Sequence, residues 1–146
     1  MPDVIVAIDQ GTTGTTCIVL GADMEPVGRG YAEIDCQYPR SGWVEQRPED
    51  LWTSTLQALQ EASRQAQITP QEIGAIGITN QRETTILWDR NTHEPVAPAI
   101  VWQCRRTQSL CESLKEQGLC ELYHSRTGLL LDPYFSGTKI RWLLDH

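Results

Sequence analysis

Apolar positions along the chain come in short runs at the start and in helical stripes later. "VIVAI" at 4–8 is a continuous apolar run rich in β-branched residues, the pattern of a strand buried on both faces. "TCIVL" at 16–20 predicts a second strand and residues 27–35 a third, with "GADMEP" between them punctuated by Gly21, Asp23 and Pro26. Three strands with short connections predict an antiparallel meander. After a loop, "YPRSGW" at 38–43, Pro48 sits where a first helical turn tolerates proline, and Glu49 and Asp50 suit the positive helix end. Trp52, Leu56, Leu59, Ser63 and Ala66 follow at helical spacing, which predicts an amphipathic helix over 48–66.

Further along, "IGAIGIT" at 73–79 and "TTILWD" at 84–89 read as strands separated only by "NQRE", and "AIVW" at 99–102 as a short extended stretch. The last part is helical. Leu110, Cys111 and Leu114 form one stripe with Gly118 as its terminating residue, and Leu119, Leu122 and Tyr123 suggest a short helix ending near Thr127-Gly128. Asp132-Pro133 marks a turn, and a helix carrying Ile140, Leu143 and Leu144 begins near Ser136. The whole reads as an α/β domain, a mixed sheet with flanking helices.

Composition narrows the class. The 146 residues are 40% hydrophobic and 21% charged, which is globular rather than disordered. The formal net charge of −7 argues against a nucleic-acid surface but leaves room for a small basic pocket that takes a phosphorylated ligand. Five cysteines, an odd number without a CxxC pair, argue against a zinc site or disulfide framework and predict buried or neutral thiols in a reducing compartment. The first residues lack a basic region and a long apolar core, and no run approaches the roughly 20 apolar residues of a membrane span. The expectation is a soluble, cytoplasmic protein without membrane insertion.

Four stretches could carry chemistry. In "DQGTTGTT", two glycines let the backbone turn tightly and bring amides to a ligand, four threonines add hydroxyls, and an aspartate at a strand end can hold Mg²⁺ through water. These parts suit the phosphates of a nucleotide–Mg²⁺ complex, although a hairpin turn with solvated threonines has the same composition. The loop lacks the lysine of a Walker A motif and leads into a strand, not a helix. "NQRE" is either an exposed turn or a polyol grip, since Arg82 offers donors and Glu83 acceptors. In "VWQCRRT", Trp102 is either core or a pocket wall, and the two arginines read first as a solvated helix start. In "DPYFSGTK", Tyr134 could reach a ligand or merely cap local backbone.

In combination, "AIDQGTTGTT", "GWVEQRPEDLW", "AIGITNQRETT", "AIVWQCRRT", "TGLLLDPYFSGTK" and "WLLDH" resemble, in order and over essentially the whole chain, the glycerol kinases of the FGGY carbohydrate kinases. The first motif is shared with the wider superfamily; "GITNQRETT", "WQCRR" and "DPYFSGTK" are much more specific to the glycerol kinases within it. The resemblance implies an actin-like fold of ribonuclease-H-like α/β domains, with residues 1–146 as an incomplete N-terminal domain. It implies glycerol contacts from Arg82, Glu83, Trp102 and Tyr134. It implies phosphate contacts from Thr12, Thr13, Gly14 and Thr16, and Mg²⁺ associated with Asp9 through water. ATP with Mg²⁺ would be the co-substrate and ADP a product, and full-length members are often homo-oligomeric. Thr16 stands where the family commonly has a basic residue. The family's catalytic base lies in a later "GDQ" motif that does not occur here, so no catalytic residue is assigned. Two other readings of the same residues are a non-catalytic remnant binding glycerol or a partner chain, and a kinase for another polyol or sugar.

Overall fold

The computed structural model describes residues 4–146. Within them the chain forms two compact units, residues 4–36 with 47–81, and residues 37–46 with 82–146.

The first unit is a four-stranded sheet with one long helix. Strands β1 (Val4–Gln10), β2 (Gly14–Leu20) and β3 (Pro26–Glu33) form the predicted antiparallel meander, and β5 (Ile73–Asn80) joins it parallel to β1, giving the order β3-β2-β1-β5. The helix α1 spans Pro48–Ala66, the residues the sequence predicts. Pro48 occupies the first turn beside Glu49 and Asp50, and Gln67 ends the helix in the left-handed conformation.

Two details differ from expectation. Val4, Val6 and Ile8 are buried against α1 with Cys17, Val19 and Ala32, but Ile5 remains 38% exposed, so β1 is buried on one face and not two. The buried stripe of α1 is Ser54, Ala58 and Ala62, whereas Trp52 is 65% exposed. The reason lies on β3. Gly28 and Gly30 face the helix so closely that a Cβ on either would run into the carbonyl oxygens of Ala62 and Ala58 respectively. Only small residues fit on both sides of that contact, so Leu59 and Ala66 of the predicted stripe pack against the core only partly buried while Trp52 turns outward.

The second unit is held by a short ladder and three helices. β4 (Glu45–Gln46) pairs antiparallel with β6 (Ala99–Ile100), and the helices are α2 (Gln108–Glu116), α3 (Cys120–Thr127) and α4 (Ser136–Asp145). Gly118 and Gly128 take positive φ just past α2 and α3, as their positions predict. Ile100, Val101, Cys104, Cys111 and Leu131 are buried. The expected strand at 84–89 is absent: Thr85 makes one bridge to Ile100 and Trp88 one to Pro95. Glu83, with φ of 67°, breaks the extended backbone before it, and the facing segment contains Pro95 and Pro98, which have no N–H for a ladder. "NQRE" is therefore not a hairpin turn. The extended stretch at 99–102 shrinks to two residues. All five cysteines are free: Cys17, Cys104 and Cys111 are buried, Cys36 is half-buried and Cys120 is exposed.

Gly30→Ala should destabilise the first unit by about 3 kcal/mol, because helix and strand must separate to admit the methyl group. Urea unfolding followed by circular dichroism measures this; a loss under about 0.5 kcal/mol would contradict the contact.

Candidate active site

The glycine–threonine loop belongs to the first unit and joins β1 to β2. Gly11 N–H donates to the Gly14 carbonyl at 2.9 Å, closing the turn, and Ile34 N–H donates to the Thr13 carbonyl at 3.0 Å. The Gln81 side-chain amide donates to the Gly11 carbonyl at 3.3 Å, the Tyr31 hydroxyl to that of Thr13 at 3.3 Å, and the Cys36 thiol to that of Thr12 at 3.9 Å. The carbonyl oxygens that would repel an anion are thus tied down within the unit. Buried Thr15 and Ser54 share a hydroxyl hydrogen bond of 2.8 Å, which fixes the loop to α1. Gly14 is buried under the ring of Tyr31, where a side chain would collide. Thr13 is exposed, and Thr12 and Thr16 are half-buried.

Asp9 lies opposite Thr16 on β2 and beside Thr79 on β5. The three border a shallow depression of about 490 Å³ that Arg29 also lines. Asp9 is exposed and makes no ion pair among the described residues. Among these residues no cluster of three His, Cys, Asp or Glu could enclose a metal. One exposed carboxylate beside a glycine–threonine loop does fit Mg²⁺, which keeps most of its waters and takes its remaining ligands from phosphates.

The polyol candidates all fall in the second unit. Trp102 and Tyr134 meet edge to face with ring centroids 5.9 Å apart, and Phe135 packs on Tyr134 at 5.1 Å. Trp102 N–H donates to the Thr84 hydroxyl at 3.3 Å. Tyr134 is set by the aspartate–proline turn: its N–H donates to Asp132 Oδ1 at 2.8 Å, and Arg105 reaches the same oxygen at 3.3 Å. Glu83 Oε2 accepts from Ser136 N–H at 2.8 Å and from Ser136 Oγ at 2.7 Å, at the N-terminus of α4. Arg82 is exposed beside it. An aromatic corner next to a donor and an anchored carboxylate can cover a carbon chain while exchanging hydrogen bonds with its hydroxyls.

Two buried cations went unread in the sequence. Arg106 is not a solvated helix start: its side chain is 2% exposed, paired with Glu45 at 2.6 Å, and its guanidinium lies 4.0 Å from the Trp43 ring and 4.7 Å from that of Trp142. Lys139 is fully buried and donates to the carbonyls of Glu83 at 2.7 Å and Tyr134 at 2.6 Å. Hydropathy places such residues outside, and the rings that cover Arg106, Trp43 and Trp142, stand far from it in the sequence, so no local signal marks it. Burial pushes the Lys139 ammonium down from 10.5 to about 8, opposed by the Glu83 carboxylate; Cys104 and Asp132 also raise it and Arg106 lowers it.

Residues 4–146 match the model of the FGGY family of carbohydrate kinases, N-terminal domain. The chain is 54% identical over 142 residues to a glycerol kinase of Halothermothrix orenii, covering 97% of this chain and 28% of the relative. It is 57% identical over 145 residues to one from Methylobacterium nodulans, covering 99% and 29%. The chain thus spans under a third of the length of these relatives. The crystal structure of Plasmodium falciparum glycerol kinase with ADP superposes with a TM-score of 0.88 at 30% identity, over 98% of this chain and 29% of that one. A gluconate kinase from Lactobacillus acidophilus, 20% identical, shares the fold with a TM-score of 0.88 over 97% of this chain and 28% of that one. The likeness bears out the actin-like, ribonuclease-H-like α/β fold class. Among the described residues no helix is long and apolar enough to cross a membrane.

The buried lysine sets a pH dependence. Unfolded, Lys139 keeps its proton to about pH 10.5; folded, it releases it near 8, so between these values the unfolded chain binds more protons and folding strengthens as pH rises. The stability difference between wild type and Lys139→Met should be flat below pH 8 and grow in favour of wild type by up to about 3 kcal/mol towards pH 10.5. Urea unfolding of both proteins across this range tests it; a difference that stays level or shrinks contradicts the assignment.

Proposed function

Because the chain belongs to the FGGY family of carbohydrate kinases, we propose that it is the glycerol-binding N-terminal portion of a cytoplasmic, ATP-dependent glycerol kinase, one that transfers the γ-phosphate of ATP to glycerol to give sn-glycerol 3-phosphate and ADP. The observation that carries this reading is the gathering of Glu83, Trp102 and Tyr134 in one unit. Residues 51 positions apart, Glu83 and Tyr134, are joined through Lys139 and Ser136, and the Trp102 ring meets Tyr134.

In this reading Arg82 donates to glycerol oxygens and Glu83 accepts from its hydroxyls. Trp102 covers the carbon skeleton and Tyr134 closes the set with its hydroxyl. A site that answers each hydroxyl strongly rejects analogues lacking one. On the first unit, Thr12, Thr13, Gly14 and Thr16 take the nucleotide phosphates, and Asp9 holds Mg²⁺ through water. Mg²⁺ supplies charge neutralisation on the phosphates, and phosphoryl transfer asks for positioning more than covalent chemistry. The segment that would activate the glycerol hydroxyl is not among these 146 residues.

Two outcomes follow. Glycerol should bind the purified chain saturably in a chemical-shift titration, and Arg82→Ala should weaken binding by about tenfold or more; unchanged affinity would remove Arg82 from the site. The chain alone should release no ADP in a glycerol-dependent manner in a coupled assay. Glycerol-dependent turnover would show that it supplies its own base.

A further inference from the structure

Lys139 Nζ lies 6.0 Å from the centroid of the Tyr134 ring, and it joins two residues that the polyol site needs. Its Nζ is shared by the main-chain carbonyls of Glu83, 56 residues away, and Tyr134, 5 residues away. The side chain is fully buried. An ammonium is strongly hydrated and costly to bury, and a methionine or leucine would fill comparable space without that cost. A buried charge in such a place calls for something that an apolar side chain cannot do.

What Lys139 holds is a strained backbone. Glu83 has φ of 67°, a region that residues with a Cβ avoid. In this conformation Glu83 is pinned twice. Its carbonyl accepts from Lys139 at 2.7 Å and, less closely, from the Thr85 hydroxyl at 3.3 Å, and its Oε2 accepts both hydrogen bonds from Ser136, one helical turn before Lys139 on α4. Both Ser136 bonds go to Oε2, which leaves Oε1 as the oxygen this reading assigns to a ligand hydroxyl. The carbonyl of Tyr134 is fixed by the same ammonium, so the acceptor and the aromatic wall share one anchor. The lowered proton affinity of Lys139 agrees with this burial.

We infer that Lys139 is the positioning residue of the polyol site, fixing Glu83 in its left-handed conformation and setting Glu83 Oε1 and Tyr134 in register for a ligand carrying vicinal hydroxyls. This rests on reading Arg82, Glu83, Trp102 and Tyr134 as that site.

The test uses the 146-residue chain labelled with ¹⁵N. The Ser136 amide reports the Glu83 carboxylate directly, whether or not a ligand binds; the Cys111 amide, bonded to the Thr107 carbonyl in the same unit, reports the fold. In Lys139→Met the Ser136 amide should shift upfield as its bond to Glu83 loosens, Cys111 should stay, and glycerol affinity should fall by about tenfold. Lys139→Gln, with a donor on a shorter stem, should shift Ser136 the same way but less. An unmoved Ser136 amide, an unchanged glycerol affinity beside a moved one, or loss of fold in both variants would overturn the inference. If wild type binds no glycerol while Ser136 shifts as stated, the tether to Glu83 stands and the glycerol reading falls.

Discussion

A fully buried ammonium needs acceptors within the fold, and Lys139 finds them in the carbonyls of Glu83 and Tyr134. Much of the second unit is arranged around that requirement. α4 must deliver Lys139 inward, which places Ser136 one turn earlier against the Glu83 carboxylate. The aspartate–proline turn must present the Tyr134 carbonyl, which it does by holding the Tyr134 amide on Asp132. Thr138, next to Lys139, shares a buried hydroxyl bond of 2.9 Å with Thr107, fixing α4 against the start of α2. The same interior accommodates Arg106 between two tryptophans with Glu45 as its counter-charge. A core that buries two cations gains less from hydrophobic transfer than one filled with leucine, but each cation ties together segments distant in sequence.

The first unit depends on a different constraint, the close approach of β3 to α1. Gly28 and Gly30 on the strand and Ala58 and Ala62 on the helix leave no room for larger side chains. Ser54 lies on the same buried stripe, one turn before Ala58, and its hydroxyl meets Thr15 at the root of the glycine–threonine loop. Helix position and loop position are therefore one property of the packing. The loop in turn spends its carbonyls internally, and its neighbour Asp9 remains exposed on the strand beside it.

Much of this was legible in the sequence where the signal is local. Pro48, Glu49 and Asp50 mark the start of α1, and Gly118 and Gly128 mark helix ends, because capping and φ preferences act within a turn. The meander follows from apolar runs with short connections. Legibility failed where a distant partner decides. Nothing in "TTILWD" reveals that its neighbour carries prolines at the wrong places, and nothing in the periodicity of 48–66 reveals two glycines waiting on β3. Trp102 and Tyr134 were readable as candidates only through the motifs around them. Lys139 was hidden because charge predicts exposure, and only the fold shows two carbonyls converging on it.

In the proposed reading, glycerol lies against Trp102 and Tyr134 beside an anchored Glu83. Intermolecular nuclear Overhauser effects between glycerol and the folded chain test it most directly. Transfer is expected from the glycerol protons to the rings of Trp102 and Tyr134, and none to the methyl groups of Ile5 on the sheet. Transfer to Ile5 without the two rings, or none at saturating glycerol, would contradict it.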